Sequence, residues 1–192
     1  MTETGPHVVA VCGSLRDASK TRIALERALS GVESAGGTGE LLDLRAFELP
    51  MFDPDASDAG DAERLRERVG AADAVLLGTP MYHGSYSNVL KNALDYCGFD
   101  EFEDKTVGLL AVSGGSFPVS ALEHLRSVCR ALGCWVLPHQ AAVPRSSSAF
   151  ADGAFDDESL AERVEVLGER AVQYANIEPD PNSFESEQNR GA

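Results

Sequence analysis

The sequence predicts an α/β protein, a three-layer α/β/α sandwich around a five-stranded parallel sheet. Three observations carry that expectation. Short apolar, β-branched runs alternate with stretches of helical periodicity along the chain. The run Ala74–Gly78 (AVLLG) is apolar without alternation, the pattern of a strand buried on both faces, as parallel sheets require. The loops after the first, third and fourth strands are rich in glycine and hydroxyl residues. In a doubly wound sheet those loops share one edge, outside the C-terminal ends of the strands.

The elements follow in order. His7–Cys12 is the first strand, and Gly13 breaks it before a first helix over Ser19–Ser34. The turn Gly36–Gly39 leads to a second strand, Glu40–Leu44. A loop stiffened by Pro50 and Pro54 precedes the helix Ala62–Ala71. The third strand, Ala74–Gly78, opens into TPMYHGSYS and the helix Asn88–Cys97. Thr106–Val112 is the fourth strand, ending at Ser113-Gly114-Gly115-Ser116. Val119–Leu132 is helical, and Trp135–Ala142 is a fifth strand interrupted by Pro138. The last helix is Asp156–Tyr174, whose apolar face is Leu160, Val164, Leu167 and Ala171. Residues 1–177 read as one domain, and 178–192 as a polar, disordered tail.

Composition narrows the partners. The 192 residues carry 31 acidic and 16 basic side chains, a net charge of −15, with lysine only at positions 20, 91 and 105. Such a surface repels nucleic acid and anionic membranes. Acid-rich, lysine-poor composition resembles that of proteins from salt-loving organisms, where salt screens the self-repulsion. No apolar run is long enough to span a membrane, and MTETGPH lacks a basic segment followed by an apolar core. A cytoplasmic location is expected. Cys12, Cys97, Cys129 and Cys134 show neither a CxxC pair nor histidine ligand spacing, so no metal site is expected and buried thiols are.

The chemistry concentrates between His7 and Thr21. A strand that breaks at Gly13 and opens into Ser14, Arg16, Ser19 and Thr21 at a helix N-terminus is built to hold an anion. The first helical N–H groups lack internal acceptors and the helix dipole favours negative charge there. The plainer alternative is a tight βα turn in which Ser19 only caps the helix. The segment Thr79–Tyr86 joins a rigid proline, a glycine and aromatic groups, which suits a flat ring; by itself it is also an ordinary loop. Ser113-Gly114-Gly115 lets backbone approach a ring closely. No nucleophile–base arrangement is evident, and no side chain is assigned a catalytic role. His83 alone among the histidines falls in a site loop. Lys91 and Asp95 stand one helical turn apart as an ion pair.

GSLRDASKT resembles the phosphate loop GSLRxxSxN of the NADPH-dependent FMN reductases, and TPMYHGSYSNVLKNALDY resembles that family's flavin-ring loop and following helix. The likeness spans residues 7–175. It implies a flavodoxin-like fold and an enzyme that moves hydride from NADPH or NADH to FMN, then electrons to a quinone, flavin, azo compound or metal ion. It implies cofactor contacts at the phosphate end from Ser14, Arg16, Ser19, Lys20 and Thr21. Around the ring it implies Pro80, Met81, Tyr82, His83, Gly84 and Ser85, with Ser113, Gly114 and Gly115 on the other side. Thr21 replaces the family's asparagine, His83 stands where asparagine is common, and Asn88 where glycine is. A homodimer or homotetramer is implied, with Lys91 and Asp95 at an interface. The alternatives are a flavodoxin-type electron carrier, whose T/S-x-T-G-x-T loop fits Ser14-Leu15-Arg16 poorly, and a non-catalytic flavin-binding protein.

Overall fold

A computed structural model describes residues 5–177. The expected tail beyond 177 lies outside the described residues. The strands are β1 (His7–Cys12), β2 (Thr38–Asp43), β3 (Ala74–Pro80), β4 (Thr106–Val112), β5 (Trp135–Val136) and β6 (Ala141–Val143). They form one parallel sheet in the order β2-β1-β3-β4-β5, with β6 also paired to β4.

Alternate strand residues face opposite layers. Val9, Val11, Val75, Leu77, Leu109 and Ala111 pack with α2 (Ala62–Gly70), α3 (Asn88–Asp95) and α5 (Val119–Ala131). Val8, Ala10, Leu76, Leu110 and Val112 pack with α1 (Lys20–Ser34) and α7 (Glu158–Gln173). β1, β3 and β4 are buried on both faces, which is why their sequences run apolar without alternation. The three-layer reading of the chain stands.

Several boundaries differ from the sequence reading. The second strand begins at Thr38 and ends at Asp43, because the Asp43 carboxylate accepts from Arg45 N at 3.1 Å and starts a 3-10 turn at Leu44. The helix after the third strand ends at Asp95, so Cys97 lies beyond it. The fifth strand is two segments. β5 pairs with the start of β4, and β6 pairs with its end at a register shifted by two residues. Pro138 has no N–H to give to the ladder, and the chain leaves the sheet after Leu137 N donates to Val107 O at 2.9 Å. A helical turn α4 (Phe99–Phe102), a second, α6 (Ser146–Ala149), and a small hairpin of β7 (Phe150–Ala151) and β8 (Ala154–Phe155) had no clear periodic signal. Among the described residues no helix is long and apolar enough to cross a membrane.

Candidate functional site

The strand order reverses between β1 and β3, since the chain runs from β1 outward to β2 and returns to β3 on the other side. A cleft of about 320 Å³ opens at that point, beyond the C-terminal strand ends. Ser14, Arg16, Ala18, Lys20 and Thr21 line one end. Pro80, Met81 and Tyr82 line another wall, and Val112, Gly114 and Ser146 complete it.

The first end is an array of donors. Gly13 N donates to Gly78 O at 2.8 Å, and the chain then turns into α1. Among the described residues, the N–H groups of Leu15, Ser19, Lys20 and Thr21 have no protein acceptor. Ser14 and Thr21 are 3% and 2% exposed, yet neither hydroxyl donates to a protein group there. Unpaired donors at a helix N-terminus are complementary to an oxyanion. Two arginines hold the loop in this posture. Arg45 donates to Arg16 O at 3.2 Å and to the Asp17 carboxylate at 2.8 Å. Arg22 donates to Asp17 O at 2.7 Å. These bonds tie the loop to α1 and to the turn after β2.

The charged side chains divide in role. Arg16 is exposed and its side chain forms no hydrogen bond or ion pair among the described residues, so its guanidinium is available at the rim. Lys20 instead donates to Ser146 O and lies 5.9 Å from the Phe150 ring centroid. It ties α1 to the first residue of α6. Ser19 is the N-cap of α1, accepting from Arg22 N at 3.1 Å, as the plainer reading of that residue holds. Burial pushes the Cys12 thiol, at the end of β1, above its ordinary range, with Asp43 adding to the effect. That shift disfavours the thiolate, the nucleophilic form.

The loop after β3 is a tight hairpin. Tyr82 and Ser85 exchange two backbone bonds of 3.0 Å, with His83 (φ 50°) and Gly84 (φ 82°) at the turn. Positive φ at both central positions defines a type I′ turn. Asparagine and histidine tolerate this region better than most residues, which explains both the family's asparagine and His83 here. His83, Gly84 and Ser85 are not among the residues that line the cleft. Ser85 Oγ lies 3.0 Å from His124 Nδ1, and Met81 N donates to Val112 O at 2.8 Å. Pro80, Met81 and Tyr82 are left as the wall.

Gly114 faces the cleft, whereas Ser113 is turned inward. Ser113 N donates to Val143 O at 2.9 Å, Ser113 Oγ to Gly115 O at 2.7 Å, and Arg145 N to Gly115 O at 2.9 Å. The first and last of those bonds join the third loop to the end of β6 and to the chain just after it.

Residues 6–148 match the family model of the NADPH-dependent FMN reductases. The chain belongs to that family. An FMN-dependent NADPH-azoreductase of Staphylococcus aureus is 41% identical over 118 residues, which is 60% of this chain; the match spans 63% of that relative's length. Among solved structures, a flavoenzyme NAD(P)H:(acceptor) oxidoreductase from Paracoccus denitrificans superposes with a TM-score of 0.72 at 25% identity. It covers 88% of this chain and 97% of its own. An NAD(P)H:quinone oxidoreductase from Methanothermobacter marburgensis, 19% identical, shares the fold at a TM-score of 0.63 over 90% of this chain and 100% of its own.

The residues present fit the family's FMN. The unpaired amides and the Ser14 and Thr21 hydroxyls match a phosphate, and Thr21 keeps a donor where the family has asparagine. Gly114 and the Pro80–Tyr82 wall leave room for a flat ring in a cleft of ligand-binding size. Of the fourteen residues expected from the sequence, Ser14, Arg16, Lys20, Thr21, Pro80, Met81, Tyr82 and Gly114 line the cleft. Ser19, His83, Gly84, Ser85, Ser113 and Gly115 are not in the lining. Ser146, Arg22, Arg45, Thr79 and Ser87 escaped sequence reasoning. Ser87 alone had a local signal, a serine directly before a helical pattern.

Proposed function

We propose that this chain is an FMN-dependent NAD(P)H oxidoreductase that passes electrons to a small acceptor, a quinone, flavin, azo compound or metal ion. One observation carries the reading. A cleft at the strand-order reversal joins the unpaired donors of Ser14 to Thr21 with the Pro80–Tyr82 wall and Gly114. FMN, when bound, supplies hydride acceptance from NAD(P)H and electron delivery to the acceptor.

The chain's own residues bind and orient. Ser14, Thr21 and the N-terminal amides of α1 hold the phosphate, and Arg16 adds a charged contact from the rim. Pro80, Met81 and Tyr82 border the ring with Gly114 opposite. Tyr82 is 52% exposed, so that side of the ring stays open to nicotinamide and acceptor in turn. No side chain is assigned proton transfer.

Titration of the flavin-free protein with FMN tests the binding half. Quenching of flavin fluorescence at one FMN per chain supports it, and no quenching overturns it.

Three further expectations belong here. The charge of −15 and the scarcity of lysine support a protein of a high-salt cytoplasm. Assembly as a homodimer or homotetramer is supported by exposed Phe117, Trp135 and Tyr174, and by a groove between α3 and α5 that Lys91 and Asp95 line. Lys91 and Asp95 already pair with each other along α3.

A further inference from the structure

Two buried hydroxyls join the site loops beneath the cleft. Ser87 is 2% exposed and Thr79 is fully buried. Ser87 Oγ donates to Gly13 O at 2.6 Å and accepts from Leu90 N at 3.2 Å. Ser87 N donates to Thr79 Oγ1 at 2.9 Å, and Thr79 Oγ1 donates to Pro80 O at 2.9 Å. Both hydroxyls therefore use one donor and one acceptor each.

The positions of the partners give this network its consequence. Thr79 and Ser87 bracket residues 80–86, so their bond closes the base of the ring loop. Gly13 is the residue from which the phosphate loop departs. The Ser87–Gly13 bond thus joins the base of one loop to the root of the other. The junction is tightly packed: a Cβ on Gly13 would meet Leu90 Cβ at 2.7 Å and Ser87 Oγ at 2.9 Å. An ordinary N-cap serine satisfies its own helix. This one also spans two strands whose ends carry opposite ends of the cleft.

We propose that Ser87 and Thr79 are positioning residues that fix the separation between the phosphate cradle and the ring wall. They thereby tune the site to a ligand carrying both a ring and a terminal phosphate. This inference rests on the cleft being an FMN site. A ligand that engages both loops feels their separation, whereas riboflavin, with no phosphate, engages the ring loop alone. Losing the strut removes the preorganisation that lets one rigid molecule satisfy both ends.

Wild type, Ser87→Ala, Thr79→Val and Thr79→Ser are each titrated with FMN and separately with riboflavin, following flavin fluorescence, after melting curves identify the folded variants. Ser87→Ala and Thr79→Val are expected to lower the preference for FMN over riboflavin by about tenfold, the scale of one lost buried hydrogen bond. Thr79→Ser, which keeps the hydroxyl, is expected to retain the wild-type preference. If Ser87→Ala does not fold, the Thr79→Val and Thr79→Ser pair decides. A lower melting temperature with an unchanged preference would overturn the proposal, because a merely structural serine behaves that way. Equal loss in Thr79→Ser and Thr79→Val would do the same. Wild type that binds FMN while the variants keep its preference refutes the strut alone; wild type that binds no FMN refutes the site and the strut together.

Discussion

The sequence reads Gly13 as a strand break and Gly114 as a place where backbone can approach a ligand, and the structure shows what surrounds each. A Cβ on Gly13 meets protein: Leu90 Cβ at 2.7 Å, Ser87 Oγ at 2.9 Å and Gly78 O at 3.2 Å. A Cβ on Gly114 meets no heavy atom within 4 Å, although Gly114 lines the cleft. Gly114→Ala should therefore leave the flavin-free protein within about 0.5 kcal/mol of wild type, as open positions generally do. With a ring held against that backbone, the methyl becomes overpacking worth about 1–3 kcal/mol, or roughly 5- to 150-fold in FMN affinity. Gly13→Ala inverts the pattern. It forces α3 or Ser87 aside at about 2–4 kcal/mol, from overpacking plus a strained hydrogen bond. At about 2–4 °C per kcal/mol for a chain of this size, that lowers the melting temperature by very roughly 4–16 °C. Melting curves of the flavin-free variants and fluorescence titration with FMN measure both quantities. Gly114→Ala with unchanged FMN affinity would refute the placement of the ring. A large fall in its flavin-free stability would refute the geometry of the third loop.

Other outcomes follow from the same geometry. Arg16→Ala should weaken FMN binding by about 1.5–3 kcal/mol, the scale of a charged hydrogen bond, while the flavin-free melting temperature stays put; isothermal titration and melting curves check it. His83→Val places a β-branched residue at φ 50° and should cost about 1–2 kcal/mol, whereas His83→Asn should cost nothing measurable in the same denaturant curves. Asp157 caps α7, and its hydrogen bonds from Ser159 and Leu160 hold its carboxyl below the usual range. A lowered folded-state value means that its stabilisation is full above the unfolded carboxylate range and is lost as pH falls through the folded one. The melting gap between wild type and Asp157→Ala should accordingly narrow on acidification, and a gap that is constant or widens refutes the cap. Burial pushes the Cys97 thiol up to about 12, with Glu101 adding to the shift, so native alkylation at pH 8 should be slow at Cys97 and become fast on unfolding.

The legible parts of the chain were those in which one physical demand acts alone. β1 and β4 occupy the predicted spans, His7–Cys12 and Thr106–Val112, because strands buried on both faces must be continuously apolar. The loop proposed as the anion cradle stood out because Gly13, the hydroxyls and a helix start are consecutive. The fifth strand was not. Pro138 signals a break, but how far the chain strays before it pairs again depends on β4, which the local sequence does not describe. The ring loop was half legible. Its composition marked it, yet the I′ turn at His83 and Gly84 depends on a cross-loop pairing of Tyr82 with Ser85. Arg22 and Arg45 were silent for a similar reason. They brace the phosphate loop from α1 and from the turn after β2, and charged residues at such places look like ordinary surface.

The most direct test of the central claim is anaerobic mixing of the FMN-loaded protein, in high salt, with NADPH and separately with NADH. The oxidised-flavin absorbance should bleach rapidly with at least one nucleotide and return when a quinone or azo compound is added. Bound FMN that bleaches with dithionite but with neither nucleotide would contradict an oxidoreductase and point to an electron carrier.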